Sequence, residues 1–323
     1  MRILSSLRRD AVIGSAIILL TLAGCGGNAS GTDAGSGSAP DSAAGVANAP
    51  RDVVMTTFYP TTFFAERISG GLVPVECPLP ADTDPIFWRP PADVISRYQR
   101  AGLIVLNGAE FEKWALTAPL PRSRLVNSAA GFRDRFVTME TTTHSHGPAG
   151  EHSHEGTDGH TWLDPRNAAL QVDAIRDAMA DAFPAHADAF AANAGSLSAD
   201  LASLDERFAA LTPKLGNTRL LASHPAYNYI AARYGWDISN LDLDPERELS
   251  ADELASITGD AAPTVLLWES EPIPASLATL AAAGVRSVIF APGETTPARG
   301  DYLDLMRDNL DALEAVLDAS IPG

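Results

Sequence analysis

The sequence concentrates its metal-binding side chains in one short segment. Five of the seven histidines fall within HSHGPAGEHSHEGTDGH, between positions 144 and 160. They are His144, His146, His152, His154 and His160. Imidazole is the commonest side-chain ligand of Zn²⁺, and short histidine-rich tracts are typical of metal binding. Because the segment contains Gly, Pro and Ser and has no apolar period, we predict a mobile loop that contacts metal; a solvated loop whose histidines are incidental is the alternative.

Other candidate ligands follow short apolar runs. His224 follows TRLLA, Glu269 and Glu271 follow TVLLW, and Glu294 follows SVIFA. In an open parallel sheet, ligands bind beyond the carboxyl ends of the strands. We predict that His160 and His224 bind Zn²⁺ or another divalent transition metal, with Glu269 or Glu271 as the third ligand and Glu294 as a further candidate. Solvated loop charges and partners of helix N-termini are the alternative roles for these glutamates.

Apolar runs and helical patterns alternate from about residue 51 onward. Strands are predicted at 53–57, 102–106, 218–222, 264–268 and 287–291. Near-continuous apolar strands that alternate with helices indicate parallel sheets covered on both faces. Residues 185–211 keep a helical apolar spacing between Pro184 and Pro213, which predicts one helix about 40 Å long. The fold class is therefore α/β, with two lobes of parallel sheet joined by one long helix.

The N-terminus has the pattern of an exported protein. Arg2, Arg8 and Arg9 precede an apolar run that is too short to span a bilayer and ends in Leu-Ala-Gly-Cys. This ending resembles the lipobox of bacterial lipoproteins, which implies that Cys25 is lipidated; an ordinary secretory peptide with an incidental cysteine is the alternative. The Gly/Ser/Ala tract after Cys25 is typical of a flexible tether. The predicted divisions are a signal peptide 1–24, a linker 25–50, an N-terminal lobe 51–183 with the histidine-rich loop 144–160, a connecting helix 184–213 and a C-terminal lobe 214–323.

Composition excludes several classes of function. The formal net charge of -18 argues against nucleic acid and against a basic membrane-binding face, while an acidic field attracts cations. If Cys25 carries lipid, Cys77 has no partner for a disulfide and is expected to be a buried small side chain. The sequence contains no His-Glu-x-x-His segment, no Gly-x-Ser-x-Gly elbow and no phosphate loop, so we do not expect an enzyme.

Several segments in order carry a family resemblance. These are VVMTTFYP, AGLIVLNGAEFEKW, HTWLDPRNA, SHPAYNYIAARYG and DYLDLMRDNLDALEAVL. From about Asp52 onward the chain resembles the zinc/manganese group of solute-binding proteins that serve bacterial ABC importers. The resemblance implies two α/β lobes with a metal cleft between them, metal ligands at His160 and His224, and an ABC permease with its ATPase as partners. It also implies a lipid-anchored protein on the extracytoplasmic face of the cell membrane.

Two positions depart from the family pattern. Ile86 stands where the family has a ligand His, and Ala291 stands where it usually has an Asp. One of the glutamates could complete the site, as could a His from the loop. Alternatively the cleft holds a metal chelate or another small solute, with Phe87, Trp88 and Arg89 as an apolar and cationic wall. The other four histidines of the loop are expected to capture ions weakly near His160 and to raise their local concentration.

Overall fold

The computed structural model describes residues 51–81, 83–145, 151–259 and 263–319. The predicted signal peptide, the lipobox with Cys25, the tether and His146 lie outside these described residues. Within the described ranges, none of the helices combines the length and the hydropathy that a membrane crossing requires.

The first sheet is parallel and has the strand order β2-β1-β3-β4. Its strands are β1 (Arg51–Thr56), β2 (Val75–Glu76), β3 (Ala101–Leu106) and β4 (Leu125–Asn127). Helices α1 (Tyr59–Ser69) and α2 (Ala92–Arg100) connect them. Tyr98 of α2 is fully buried and donates its hydroxyl to Thr56 O at 2.8 Å, which holds α2 against the end of β1.

The histidine-rich segment forms an antiparallel ribbon, which we call the histidine-rich hairpin. It consists of β5 (Thr138–Ser145) and β6 (Glu151–Thr157), with His144 opposite His152 and Thr142 opposite His154 in register. The prediction of a loop is therefore wrong for the described part of this segment. Three consecutive threonines favour extended backbone, and antiparallel pairing satisfies the backbone N–H and C=O groups that a loop would leave to water.

A long helix follows, as predicted. Helix α3 (Pro165–Ala182) leads into α4 (Ala187–Leu215), whose 29 residues span about 43 Å at 1.5 Å per residue. The predicted stop at Pro213 is wrong, because α4 continues to Leu215. A proline within a helix loses one backbone donor and crowds the carbonyl four residues earlier, but the buried Leu211 and Leu215 hold this last turn in the core.

The second sheet is also parallel and has the order β10-β9-β7-β8. Its strands are β7 (Arg219–Ala222), β8 (Ile238–Asn240), β9 (Thr264–Trp268) and β10 (Arg286–Ile289). The accompanying helices are α5 (Asn228–Tyr234), α6 (Ala251–Thr258), α7 (Pro274–Ala282) and α8 (Tyr302–Asp318). The predicted α/β architecture of two parallel sheets with one long helix between them in the chain is confirmed.

One apolar core runs through both halves of the described chain. It includes Val105 of β3, Leu201 of α4, Leu220 of β7 and Val265 of β9, all fully buried. Each such side chain contributes about 1.5–3 kcal/mol of burial free energy. Because α4 packs against α1, α3 and α8 within this core, the two sheets share a firm support, and the loops at their strand ends are held in a fixed relation.

Candidate metal centre

Two histidines and one carboxylate converge on a single point in the described part of the chain. His160 follows β6, His224 follows β7 and Glu294 follows β10. One ligand atom from each of the three lies within 4.8 Å of the other two. Nε2 of His160 lies 2.9 Å from Oε1 of Glu294, and the two imidazole rings are 5.6 Å apart between centroids. The cluster therefore offers two imidazoles and one carboxylate to a single ion.

The other two predicted carboxylates are placed differently from each other. Oε2 of Glu269 lies 3.6 Å from Nδ1 of His224, so this side chain stands at the edge of the cluster. Glu271 is exposed and does not join the cluster. Two residues after Glu271, the N–H of Ile273 donates to Pro245 O at 2.9 Å.

The turn that carries His160 is positioned by the end of the first sheet. The side-chain amide of Asn107, directly after β3, donates to Gly159 O at 2.8 Å and accepts from Thr161 Oγ1 at 3.1 Å. Gly159 is required by close approach, since a Cβ there would lie 2.7 Å from Cδ2 of Phe111. These contacts fix the backbone on both sides of the histidine.

The loop that carries Glu294 is tied to the same turn. The indole N–H of Trp162 donates to Pro292 O at 2.8 Å, and the Tyr302 hydroxyl donates to Trp162 O at 2.6 Å. Gly293 has φ +75°, a conformation that favours glycine, and it turns the chain directly before Glu294. Contacts between residues far apart in the sequence therefore bring Glu294 to His160.

Sequence reasoning missed a further residue of the site. Asp158 is fully buried, and its Oδ1 accepts from the His160 backbone N–H at 2.9 Å and from the His160 ring at Nδ1, 2.7 Å away. Its Oδ2 accepts from Nδ2 of Asn228 at 2.9 Å. In metal-binding histidines one ring N–H commonly donates a hydrogen bond to a carboxylate in this way, which leaves the other ring nitrogen for the ion. The Asp-x-His spacing in TDGH was the signal that could have identified it.

The electrostatics of the cluster favour positive charge. Burial lowers the pKa of His160, but the neighbouring carboxylates of Asp158 and Glu294 raise that pKa to about 10 overall. Burial, reinforced by the charge of Glu294, raises the pKa of Glu269 to about 8. Buried carboxyl groups this close together repel one another as anions, and a bound cation relieves that repulsion.

A cavity of about 520 Å³ lies beside the cluster, and we call it the acidic cavity. Its lining includes Asp84, Glu269 and Glu294. Ile86, where the resemblance implied a ligand His, is buried, and its N–H donates to Asp84 Oδ1 at 2.8 Å. It offers no ligand atom. Ala291 is held by two hydrogen bonds to the Asn309 side chain, and the carboxylate reaches the cluster from Glu294, three residues later.

The predicted wall of Phe87, Trp88 and Arg89 does not belong to the metal cleft. These residues line a second cavity, which shares no lining residue with the acidic cavity. Trp88 is buried and packs edge to face on Trp114, with ring centroids 5.7 Å apart. The apolar cluster around β1, β3 and α2 takes up this indole, because burying its large apolar surface is favourable there.

Comparison with known proteins identifies the family of this chain. Residues 54–316 match the family model described as "Zinc-uptake complex component A periplasmic". The chain belongs to this family. The resemblance to zinc-type solute-binding proteins of ABC importers is thus confirmed.

Similar curated proteins and solved structures come from streptococci and bacilli. The zinc-binding lipoprotein AdcA of Streptococcus pneumoniae strain R6 is 30% identical over 285 residues, covering 83% of this chain and 56% of AdcA. The high-affinity zinc uptake system protein ZnuA of Bacillus subtilis is 27% identical over 275 residues, covering 81% of this chain and 86% of ZnuA. The chain therefore spans about half the length of the AdcA relatives.

Two crystal structures show the same architecture. Zn(II)-bound AdcA from Streptococcus pneumoniae superposes with a TM-score of 0.70 at 26% identity, covering 84% of this chain and 59% of AdcA. The metal-dependent lipoprotein YcdH from Bacillus subtilis superposes with a TM-score of 0.71 at 26% identity, covering 82% of this chain and 98% of YcdH.

Proposed function

We propose that this protein is an extracytoplasmic receptor that binds one Zn²⁺ through His160, His224 and Glu294 and delivers it to an ABC permease and its ATPase. The observation that carries the proposal is the convergence of these three side chains from separate segments, with ligand atoms within 4.8 Å of one another. Tetrahedral zinc ligands lie about 3.3 Å apart, so small side-chain adjustments bring the three ligand atoms into coordination. The names of AdcA and ZnuA support zinc as the ion.

Glu269 is the residue we propose for the fourth position. Its carboxylate is 3.6 Å from His224 and, like Glu294, lines the acidic cavity. Two imidazoles with carboxylate oxygens suit Zn²⁺ better than Mg²⁺ or Mn²⁺, which prefer oxygen alone. A site closed by four protein ligands retains an ion for transfer and leaves no position for an activated water, which supports a receptor rather than an enzyme.

The direct test is zinc affinity measured by competition with a chelator. The histidine-rich hairpin is deleted over residues 144–154 in every variant, so that only the proposed site is titrated. We expect His160→Ala and His224→Ala each to lower the affinity at least 100-fold. The control His186→Ala removes a histidine that lies at the start of α4 and contacts Phe190, and it should leave the affinity unchanged. Equal affinity in the parent and in the His160→Ala/His224→Ala double variant would contradict the proposal and favour the receptor for a chelate or small solute.

The histidine-rich hairpin has a separate role in this proposal. Its histidines capture zinc weakly and raise the local concentration near His160, which follows β6 by three residues. Deleting residues 144–154 should reduce zinc uptake by cells at scarce metal and leave one tight site per chain in calorimetry. Loss of the tightest binding event on deletion would mean that the hairpin supplies a ligand.

The protein is held at the membrane by lipid on Cys25 in this proposal. The lipobox-like ending and the name of the AdcA lipoprotein support it. The variant Cys25→Ala should move the protein from the membrane fraction into the soluble fraction of exported proteins. Full retention of that variant in washed membranes would exclude the anchor.

A further inference from the structure

A second cavity of about 670 Å³ lies on the first half of the chain, and we call it the aromatic cavity. Its floor contains the two buried indole rings of Trp88 and Trp114, together with Ile86 and Ile95. Its volume falls within the range of 300–1,000 Å³ that is usual for small-molecule sites. Because it shares no lining residue with the acidic cavity, it is a separate place for a ligand.

The charge of the aromatic cavity is opposite to that of the protein. Acidic residues outnumber basic ones by 41 to 23 in the chain, yet the lining contains Arg89 and Lys113 and no acidic residue. Both cationic residues are exposed, whereas the two tryptophans of the lining are buried. Neither has a carboxylate within 4 Å among the residues that the structure describes. Two cations are thus available to an anionic ligand.

The floor of the aromatic cavity also contains a hydrogen-bond donor without an acceptor. The indole nitrogen of Trp114 is buried and has no hydrogen-bond acceptor in the described structure. Trp114 is 8% exposed, and its ring packs against both Trp88 and Tyr98. A buried Trp N–H usually finds a partner, and leaving it unpaired destabilises the folded state. Because this nitrogen is inaccessible, Trp114 lines the cavity with ring carbon atoms and presents an apolar surface to a ligand.

We propose that the aromatic cavity binds a small organic acid with an apolar body and one carboxylate. The apolar body lies on the rings of Trp88 and Trp114, and the carboxylate lies between Arg89 and Lys113. Uncharged solutes would not use the two cations, and a multiply charged anion would not match the apolar floor. This site is additional to the proposed zinc site and does not depend on it.

The test uses 4-phenylbutyrate as the ligand and 4-phenylbutyramide as its uncharged analogue, with calorimetry on the purified full chain. We expect one saturable site for the acid and at least tenfold weaker binding of the amide. The Arg89→Gln/Lys113→Gln double variant should weaken binding of the acid about tenfold. The control Arg122→Gln, an exposed cation outside the cavity, should leave it unchanged.

Three results would overturn the proposal: no saturable binding of 4-phenylbutyrate at millimolar concentration, equal binding of acid and amide, or equal binding by the parent and the double variant. Folding is checked by far-UV circular dichroism and thermal unfolding, since the double variant changes only exposed side chains away from the metal cluster. Zinc affinity unchanged in that variant also separates this test from the test of the proposed function.

Discussion

Asp158 and His160 form a buried pair in which the carboxylate oxygen Oδ1 and the ring nitrogen Nδ1 are 2.7 Å apart. The other oxygen of Asp158 accepts from Asn228, the first residue of α5. One carboxylate therefore connects a candidate ligand that precedes α4 in the chain to a helix that follows it. It also directs Nε2 of His160 toward Glu294.

Asp158→Asn should lower zinc affinity about 10- to 100-fold, which is the usual cost of losing such a partner of a metal-binding histidine. The amide keeps the shape of the carboxylate but cannot stabilise the ring orientation through its charge. Chelator competition measures the loss, with one zinc still bound per chain at saturation. The exposed Asp134→Asn is the matched control. An affinity equal to that of the parent would show that Asp158 does not position His160.

The three glutamates near the strand ends should differ in a graded way. Glu294→Gln should lower zinc affinity most, because this carboxylate lies in the cluster with both histidines. Glu269→Gln should have a smaller effect, since its closest approach is 3.6 Å from His224. Glu271→Gln, at an exposed side chain, should have none. The reverse order of Glu294 and Glu271 in the same titration would refute this ranking.

Zinc should raise the melting temperature by binding only the folded state. At a free zinc concentration 100 times Kd, the added free energy of unfolding is about 2.7 kcal/mol, which raises Tm by roughly 5 °C or more for a chain of this size. His224→Ala should melt near the parent without zinc and show little shift with it. Differential scanning fluorimetry with and without zinc gives both numbers. A shift of equal size in parent and variant would place the stabilising ion elsewhere.

A surface ion pair should control part of the stability in acid. Burial raises the pKa of Glu253, but hydrogen bonds from Arg247 and from the Ser250 backbone N–H lower it to about 2 overall. Because the folded-state pKa lies below the ordinary 4.5, this stabilisation is present above pH 4.5 and is lost as the pH falls toward 2. Glu253→Gln should lose stability at pH 6 and flatten the decline between pH 4.5 and 2. Urea unfolding at a series of pH values over this range measures the free energy of unfolding.

The matched control for this acid-dependent loss of stability is Glu246→Gln, at an exposed position of the loop before α6. It should reproduce the pH dependence of the parent. If Glu253→Gln also kept the parent's decline between pH 4.5 and 2, the contacts of Arg247 and Ser250 would not be contributing to stability in solution.

Apolar periodicity was enough to predict the long helix and the buried strands, since β3 and β9 consist almost wholly of apolar residues. It did not predict β2, β4 and β8, which have two or three residues and are not buried. Strands this short carry no hydrophobic pattern of their own, and the neighbouring strand determines them. In the histidine-rich hairpin, glycine and proline favoured the prediction of a loop, whereas the three consecutive threonines favour paired strands.

The position of Glu294 could not be ranked from the sequence. Glu269, Glu271 and Glu294 all follow strands, and Glu269 lies nearest its strand end. What brings Glu294 to His160 is a turn at Gly293 and the hydrogen bond from Trp162 to Pro292, which joins residues 130 positions apart. A long-range contact of this kind leaves no local pattern in the sequence, whereas His160 and His224 lie in recognisable segments.

The two halves of this chain share one apolar core through α4, so neither half has a complete core of its own. A chain cut before α4 would leave Val105 and its neighbours without Leu201, and the second half alone would expose the other face of the same helix. Neither half can be exchanged with that of a relative unless the matching face of the helix is exchanged as well. Specificity in this architecture can therefore diverge through the loops at the strand ends, while the helix constrains both sheets together.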